Sequence, residues 1–392
     1  MKQICPEELC TGCLACLNSC AHGAITLRED VVGFRYPSID QTKCVDCKLC
    51  EKVCPALHVP ERRFPKIGYA VQVKDNVELK QCASGGASTA LARLILSHQG
   101  IVYGCSGEDI RQVKHIRVGH ISQLNSIQGS KYVQSEIGFI YRSVKEDLQN
   151  QKKVLFIGTP CQVAGLKNYL RKEYDHLFTA DLVCHGVPSQ KLLNENIDDY
   201  QSKGLKLDER TIRFRQKKSD ACQTQSARIE YGWFYQNQPY SARLKQVKYT
   251  RDPYMFGFIQ GLFFRPSCYK CSYAYASRIS DFTLSDYWGL GKDSGFVLGR
   301  GVSSVLLNTE KALQLFEELK ASVSYEQREV QESVVGNGQL QRPSMKHPQY
   351  YKFREIYPSL GLRKAVDLCL RKDRWKIGLK KVLFRIQQIM KL

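Results

Sequence analysis

No run of eighteen apolar residues occurs anywhere in the 392-residue chain, which excludes a membrane-spanning helix at the outset. Met1-Lys2-Gln3-Ile4-Cys5-Pro6 holds no apolar stretch that could serve as a signal peptide, and the expectation is a cytoplasmic protein. No G-x-G-x-x-G opens a helical pattern, so no second nucleotide site announces itself by that fingerprint. Acidic side chains are the scarcer sign, 38 Asp and Glu against 58 Lys and Arg, for a formal net charge of +20. Cysteine is sparse in the body of the chain: nine of the 17 lie within the first 54 residues. A secreted disulfide scaffold would be short and cysteine-dense throughout, so a dense block on a cysteine-poor body points to ligation in a reducing compartment. The rest of the composition is ordinary and globular, 43% hydrophobic and 24% charged, and the length allows two or three domains.

The positive charge is uneven. Residues 1–60 carry six Lys and Arg against seven Asp and Glu, so the excess lies wholly downstream, concentrated in residues 203–251 and 352–391. A basic surface suits anionic partners such as phosphorylated cofactors, acidic redox proteins or an anionic membrane. Nucleic acid is not an expected partner, because neither interleaved aromatic platforms nor a recognition motif accompanies the charge.

The dense block is a repeat. Cys10-x2-Cys13-x2-Cys16-x3-Cys20 is followed by Cys44-x2-Cys47-x2-Cys50-x3-Cys54, and Pro55 closes the second run. Three cysteines at two-residue spacing can wrap one 4Fe–4S cubane, while the fourth of each run reaches across to the other cluster, as in bacterial two-cluster ferredoxins. One centre is therefore assigned Cys10, Cys13, Cys16 and Cys54, and the other Cys20, Cys44, Cys47 and Cys50. Ala21 stands where the second run has its proline, a change in a turn and not in a ligand. Paired Cys-x2-Cys also suits tetrahedral zinc, but two four-cysteine runs favour clusters. Cys5 fits neither run and reads as a spare thiol.

Residues 1–60 thus form a two-cluster ferredoxin module, with short strands expected at residues 24–27 and 34–37, and residues 60–65 read as a linker. From Lys66 onward strand and helix patterns mix. Strands are expected at residues 67–73, 101–104, 153–158 and 178–183. Helices are expected from Gly85-Gly86 to about His98 and over residues 163–170, and residues 211–250 look antiparallel. The fold class is a mixed α+β body, read as an N-terminal part at 66–145, a C-terminal part at 146–345 and a basic helical tail at 346–392. Binding loops in such units lie at the carboxyl ends of strands.

Ser84-Gly85-Gly86-Ala87 at a helix start exposes backbone N–H groups that suit a phosphate, though a Gly pair also simply makes a turn. Gly129-Ser130-Lys131-Tyr132 offers a cation and a ring. Cys161 and Cys184 each follow a predicted strand, and with Cys268-x2-Cys271 they would supply four thiolates for a third cubane. Equally, Cys161 and Cys184 read as buried small hydrophobes.

Taken in order, several motifs resemble the beta subunits of coenzyme F420 (deazaflavin) hydrogenases and dehydrogenases. They are Ser84-Gly85-Gly86, Gly129-Ser130-Lys131-Tyr132-Val133, Gly158-Thr159-Pro160-Cys161-Gln162, Cys184-His185-Gly186-Val187-Pro188-Ser189, Arg265-Pro266-Ser267-Cys268-Tyr269-Lys270-Cys271, Arg278-Ile279-Ser280-Asp281 and Asp286-Tyr287-Trp288-Gly289. The resemblance spans roughly residues 66–320 and implies an FAD-binding iron–sulfur oxidoreductase. It favours the third cluster at Cys161, Cys184, Cys268 and Cys271. It implies flavin contacts from Ser84, Gly85, Gly86 and Ala87, from Lys131 and Tyr132, and from Gly158, Thr159 and Pro160. It also associates the chain with a surface-polysaccharide biosynthesis setting.

The expected function is electron passage between an external one-electron carrier and an FAD-mediated two-electron step on a small-molecule substrate. The competing reading is a non-catalytic electron-transfer subunit of a larger redox complex. Residues 351–392 hold twelve basic and three acidic side chains, and residues 361–392 have apolar positions at Leu362, Val366, Cys369, Val382, Ile386 and Ile389. That spacing reads as a basic amphipathic helix softly interrupted at Gly378. Such a helix suits an anionic membrane surface, an acidic donor protein, or its own domain with a solvated basic face.

Overall fold

The computed structural model describes residues 3–217, 229–237, 245–296 and 298–389. Thirteen strands are described: β1 (Ile25–Glu29), β2 (Arg35–Ile39), β3 (Ile67–Val73), β4 (Ile101–Ser106), β5 (Lys114–Val118), β6 (Val154–Gly158), β7 (Leu177–Leu182), β8 (Leu207–Lys217), β9 (Ile229–Asn237), β10 (Lys245–Lys248), β11 (Phe282–Asp286), β12 (Ser303–Leu307) and β13 (Val323–Arg328).

Eight of them build one mixed sheet in the order β13-β3-β12-β11-β7-β6-β4-β5. The four central strands, β11, β7, β6 and β4, are parallel. The flanking pairs β11/β12, β12/β3, β3/β13 and β4/β5 are antiparallel. Residues 66–145 and 146–345 therefore contribute strands to the same sheet. Strands covered on both faces read as continuous apolar runs, and β6 shows why. Val154 and Phe156 join Ile101 and Tyr103 beneath helices Ile140–Gln149 and Pro160–Leu170. Leu155 and Val102 point the other way, to helices Ala87–Ser97 and Glu310–Leu319. The carboxyl ends of all four parallel strands consequently open on one edge.

The ferredoxin module, with the β1/β2 hairpin, is packed into the body. Cys13, Leu14, Ala15 and Val53 share an apolar cluster with Tyr141, Val144 and Leu166. Asn18 Nδ2 donates to the Gly138 carbonyl at 2.8 Å, Arg142 Nε to the Asn18 carbonyl at 3.0 Å, and the Tyr273 hydroxyl to the Pro55 carbonyl at 2.9 Å. Strands β8, β9 and β10 form a separate antiparallel sheet, whose apolar face meets helix Pro253–Ile259 and the tail.

The tail departs from the single helix expected. Helix Tyr350–Cys369 is broken at Gly361, where φ is 72°, and a second helix, Arg371–Ile389, runs through Gly378 without interruption. Phe353, Tyr357, Leu362, Ala365 and Val366 are buried in the core of the body, and Arg354 pairs with Asp30 of the ferredoxin module at 2.8 Å. The first tail helix is thus a structural strut. The side chains of Val382, Ile386 and Ile389 lie outside the described residues. Among the described residues no helix is long and apolar enough to cross a membrane.

Candidate functional site

A cavity of about 920 Å³ lies at the carboxyl edge of the parallel strands, where α/β sheets place their ligands. Its lining includes Ser84, Gly86 and Ala87, then Lys131 and Tyr132, then Gly158, Thr159 and Pro160. Eight of the nine residues singled out in the sequence therefore face one space. Gly85 does not. A Cβ there would be driven into the Val71 carbonyl and the Ser303 amide, so this glycine lets its loop press onto β3 and β12. The loop is further fixed by Ser84 Oγ donating to the Val302 carbonyl at 2.9 Å and by the Val73 amide donating to the Gly85 carbonyl at 2.8 Å.

Cys161, Cys184, Cys268 and Cys271 form one wall of the same cavity. Each follows from the topology. Cys161 lies in the first turn after β6, Cys184 follows β7, and Cys268 and Cys271 occupy and end a tight turn over Pro266–Lys270. The four thiols lie close enough to disfavour one another's ionisation. Burial is the main cause that raises Cys161 to about 11 and Cys184 to about 12, with the neighbouring thiols adding to it. Cys268 is raised for the same reasons, with Cys184, Cys271 and Cys161 all contributing. Half-buried thiols that repel one another's charge suit a cationic iron–sulfur core, which takes up the thiolate charge.

In the ferredoxin module Cys16 senses Cys13, Cys10 and Cys54, which gathers the four thiols of the first predicted centre. Cys20, Cys44 and Cys50 pack around a small apolar cluster containing Ile25 and Ile39, and exposed Cys47 adjoins Cys50. Cys5 lies beside Cys10 and Cys54; their proximity raises the Cys5 pKa, while Cys5 and the Arg265 guanidinium hold Cys10 below the ordinary thiol value. Cys13 in turn senses Cys161, so the first centre abuts the four-cysteine wall. Among the described residues no three His, Cys, Asp or Glu side chains converge tightly enough to share a single metal ion. A cubane places its ligands at separate corners, farther apart than donors around one ion.

A polar network lies under the cavity floor. Thr159 caps helix Pro160–Leu170, and the Gln162 side-chain oxygen accepts from the Thr159 amide at 2.9 Å. Gln162 Nε2 donates to Ser135 Oγ at 3.0 Å, and Ser135 Oγ lies 3.0 Å from His115 Nδ1. The other ring nitrogen, Nε2, faces the Ile157 carbonyl at 3.0 Å and must therefore carry the proton. Burial lowers the His115 pKa to about 4, so the imidazole is neutral. Lys131 is half-buried with no carboxylate bonded to it among the described residues, and its ammonium donates to the carbonyls of Cys105 at 2.9 Å and Gln128 at 2.7 Å. Asp286 pairs with Arg215 at 2.9 Å. The charged lining is thus Lys131, Lys270 and Arg215 against Asp286 alone, a net positive surface.

Other contacts of this region escape a reading of the sequence, even where one partner, such as Arg278, lies in a motif. Arg278 and Asp181 form a fully buried pair at 2.6 Å, and Arg278 Nη1 also holds the Tyr273 carbonyl at 2.7 Å beside Cys271. His115, Ser135 and Gln134 sit in no motif, and only the fold brings them to the cavity.

Residues 9–57 match the family described as 4Fe-4S dicluster domain, and residues 151–333 match the family described as the C terminus of the coenzyme F420 hydrogenase/dehydrogenase beta subunit. No curated protein matches the chain. Among solved structures the chain is similar to one from the xenon-derivatised F420-reducing NiFe hydrogenase complex of Methanosarcina barkeri, at 15% identity and a TM-score of 0.45, covering 79% of this chain and 91% of that one. The chain thus carries a 4Fe–4S dicluster domain over residues 9–57 and, over residues 151–333, a segment similar to the C terminus of coenzyme F420 hydrogenase/dehydrogenase beta subunits.

Proposed function

We propose that this chain is an iron–sulfur flavoprotein oxidoreductase with three 4Fe–4S clusters and one FAD, passing electrons between an external one-electron carrier and a small-molecule substrate. One observation carries the reading: the loops marked for flavin and the four cysteines marked for a cluster line a single cavity, which also touches Leu9, Thr11, Pro55 and Ala56 of the ferredoxin module. The order of the thiol groups, from Cys47 and Cys50 through Cys10, Cys13, Cys16 and Cys54 to Cys161, Cys184, Cys268 and Cys271, leads from the protein surface to the cavity.

The donor set fits the groups. Thiols suit iron–sulfur cores, and a net positive cavity with amide donors at the start of helix Ala87–Ser97 suits a pyrophosphate. A bound flavin would supply hydride transfer, and bound clusters single-electron transfer. The chain's own part is to hold these groups adjacent, to keep His115 neutral beneath them, and to exclude water with the apolar side of the lining. A cavity of about 920 Å³ leaves space for a substrate as well as a flavin ring, which favours an enzyme over a non-catalytic carrier. The surface-polysaccharide setting is proposed on family resemblance alone.

The test is iron, acid-labile sulfide and flavin per chain, on protein purified without oxygen. About twelve irons and one FAD are expected, with about eight irons in the Cys268→Ser/Cys271→Ser double variant. Iron unchanged in that variant would remove the third cluster, absence of flavin would remove the hydride step, and zinc in place of iron would overturn the reading.

A further inference from the structure

Arg265 is 1% exposed, and its side chain finds no carboxylate among the described residues. A buried guanidinium without an anion is costly, because its lost hydration is not recovered from neutral partners. Its partners are nevertheless well defined. Nε donates to the Cys10 carbonyl at 2.6 Å, Nη2 to the Arg35 carbonyl at 2.8 Å, and Nη1 to Gln134 Oε1 at 3.0 Å. The plane lies 4.4 Å from the Tyr36 ring centroid and 5.5 Å from that of Phe34. The remaining contact is Nη2 to Cys10 Sγ at 3.6 Å, the one acceptor in the set that becomes anionic.

The surroundings are shaped to allow this approach. Gly12, at φ +68°, lies against the Arg265 guanidinium, which a Cβ would meet at 2.8 Å. Gln134 Nε2 holds the Thr11 carbonyl at 3.1 Å, so Gln134 and Arg265 together clasp the Cys10–Cys13 loop. The main chain of Arg265 ties the other centre. Its amide donates to the Val187 carbonyl of the Cys184 loop at 2.9 Å, and its carbonyl accepts from the Cys268 amide at 2.9 Å. One residue therefore stands at the junction of two cysteine sets, with its cation turned toward the first.

We infer that Arg265 is a fixed positive charge that raises the reduction potential of the centre held by Cys10, Cys13, Cys16 and Cys54 above that of the centre held by Cys20, Cys44, Cys47 and Cys50. The inference rests on the ligand assignment proposed above. A reduced cluster carries one more negative charge than an oxidised one, and a low-dielectric cation with an N–H···S bond stabilises the reduced form selectively. No described lysine or arginine is buried against Cys20, Cys44, Cys47 or Cys50 in the same manner; the exposed Arg142 reaches the Cys20 carbonyl at 3.2 Å. Electrons entering the module would then collect at the inner centre, next to Cys161.

The experiment is a redox titration followed by electron paramagnetic resonance on anaerobic full-length protein, with iron assayed on each sample. Three variants are compared with the wild type. Arg265→Gln removes the charge, Arg265→Lys keeps it without the fork, and Gln134→Glu leaves Arg265 in place but gives it a carboxylate. Expected is a negative shift in one midpoint for Arg265→Gln and Gln134→Glu, a smaller one for Arg265→Lys, a lesser shift at the centre that includes Cys161, whose thiol also feels the Arg265 charge, and no change at the centre of Cys20, Cys44, Cys47 and Cys50. A full iron complement with unmoved midpoints in Gln134→Glu overturns the inference, even where the Arg265 variants lose iron. A uniform shift at every centre overturns it too. Wild-type protein lacking cluster signals altogether would instead defeat the ligand assignment, which separates the two failures.

Discussion

Buried polar residues under the cavity are the clearest case in which single side chains set a solution property. His115 donates from Nε2 to the Ile157 carbonyl and accepts at Nδ1 from Ser135, so protonation would break a bond as well as charge a buried ring. Its folded pKa of about 4 lies below the ordinary value of 6.5. Between these values the unfolded chain binds the proton and the folded chain does not, so stability is full above about pH 6.5 and declines as the pH falls toward 4. At about 1.36 kcal/mol per pH unit the effect reaches roughly 3 kcal/mol. The thermal midpoint of wild type should therefore fall between neutral pH and pH about 5 more than that of His115→Gln; parallel curves would discard the assignment. At this scale the sequence is legible only where function is local. Eight cysteines at fixed spacing declare themselves, whereas Arg265 meets Cys10 across 255 positions. No pattern within a window can show that contact.

Elements depend on what they must lie against. Helix Pro160–Leu170 contains Gly165, and a Cβ there would meet Cys13 Sγ at 2.9 Å and the Tyr141 hydroxyl at 3.0 Å. Alanine favours a helix by roughly 1 kcal/mol over glycine, yet here it would wedge the ferredoxin module away from the body. Gly165→Ala should lower the thermal midpoint and the iron retained on gel filtration. A more stable variant with full iron would show that the contact is slack. The same helix explains a difference from the sequence reading, which begins it at residue 163. Thr159, Pro160 and Gln162 form a capped first turn, and those residues also look like a loop when the helix behind them is unseen. Strand β3, by contrast, spans the expected residues 67–73 because both its faces are covered and Gln72 is the one polar side chain in the run. The tail misleads for the opposite reason: its break is set at Gly361 by a positive φ, whereas Gly378 is tolerated within a helix.

At the level of the whole molecule, a domain boundary in sequence is not a boundary in energy. Residues 60–65 read as a linker, and Phe64 there is 75% exposed. Yet Arg63 exchanges two backbone hydrogen bonds with Arg278 at 2.7 Å, and the module on its N-terminal side is held by Asn18, Pro55, Asp30 and Cys10. Limited trypsin cleavage at Arg62 or Arg63 should give two fragments on a denaturing gel that still elute as one species, with absorbance from both parts; separate elution would show an independent module. Such tethering was hidden because each contact pairs residues more than a hundred positions apart. The Gly85 loop carries a different consequence. Its shape is dictated by the β3 and β12 backbones and by Ser84, Val302 and Val73, all of them contacts within the chain itself. A molecule arriving there docks onto a finished surface: association requires no ordering of that segment, and dissociation leaves it unchanged for the next arrival.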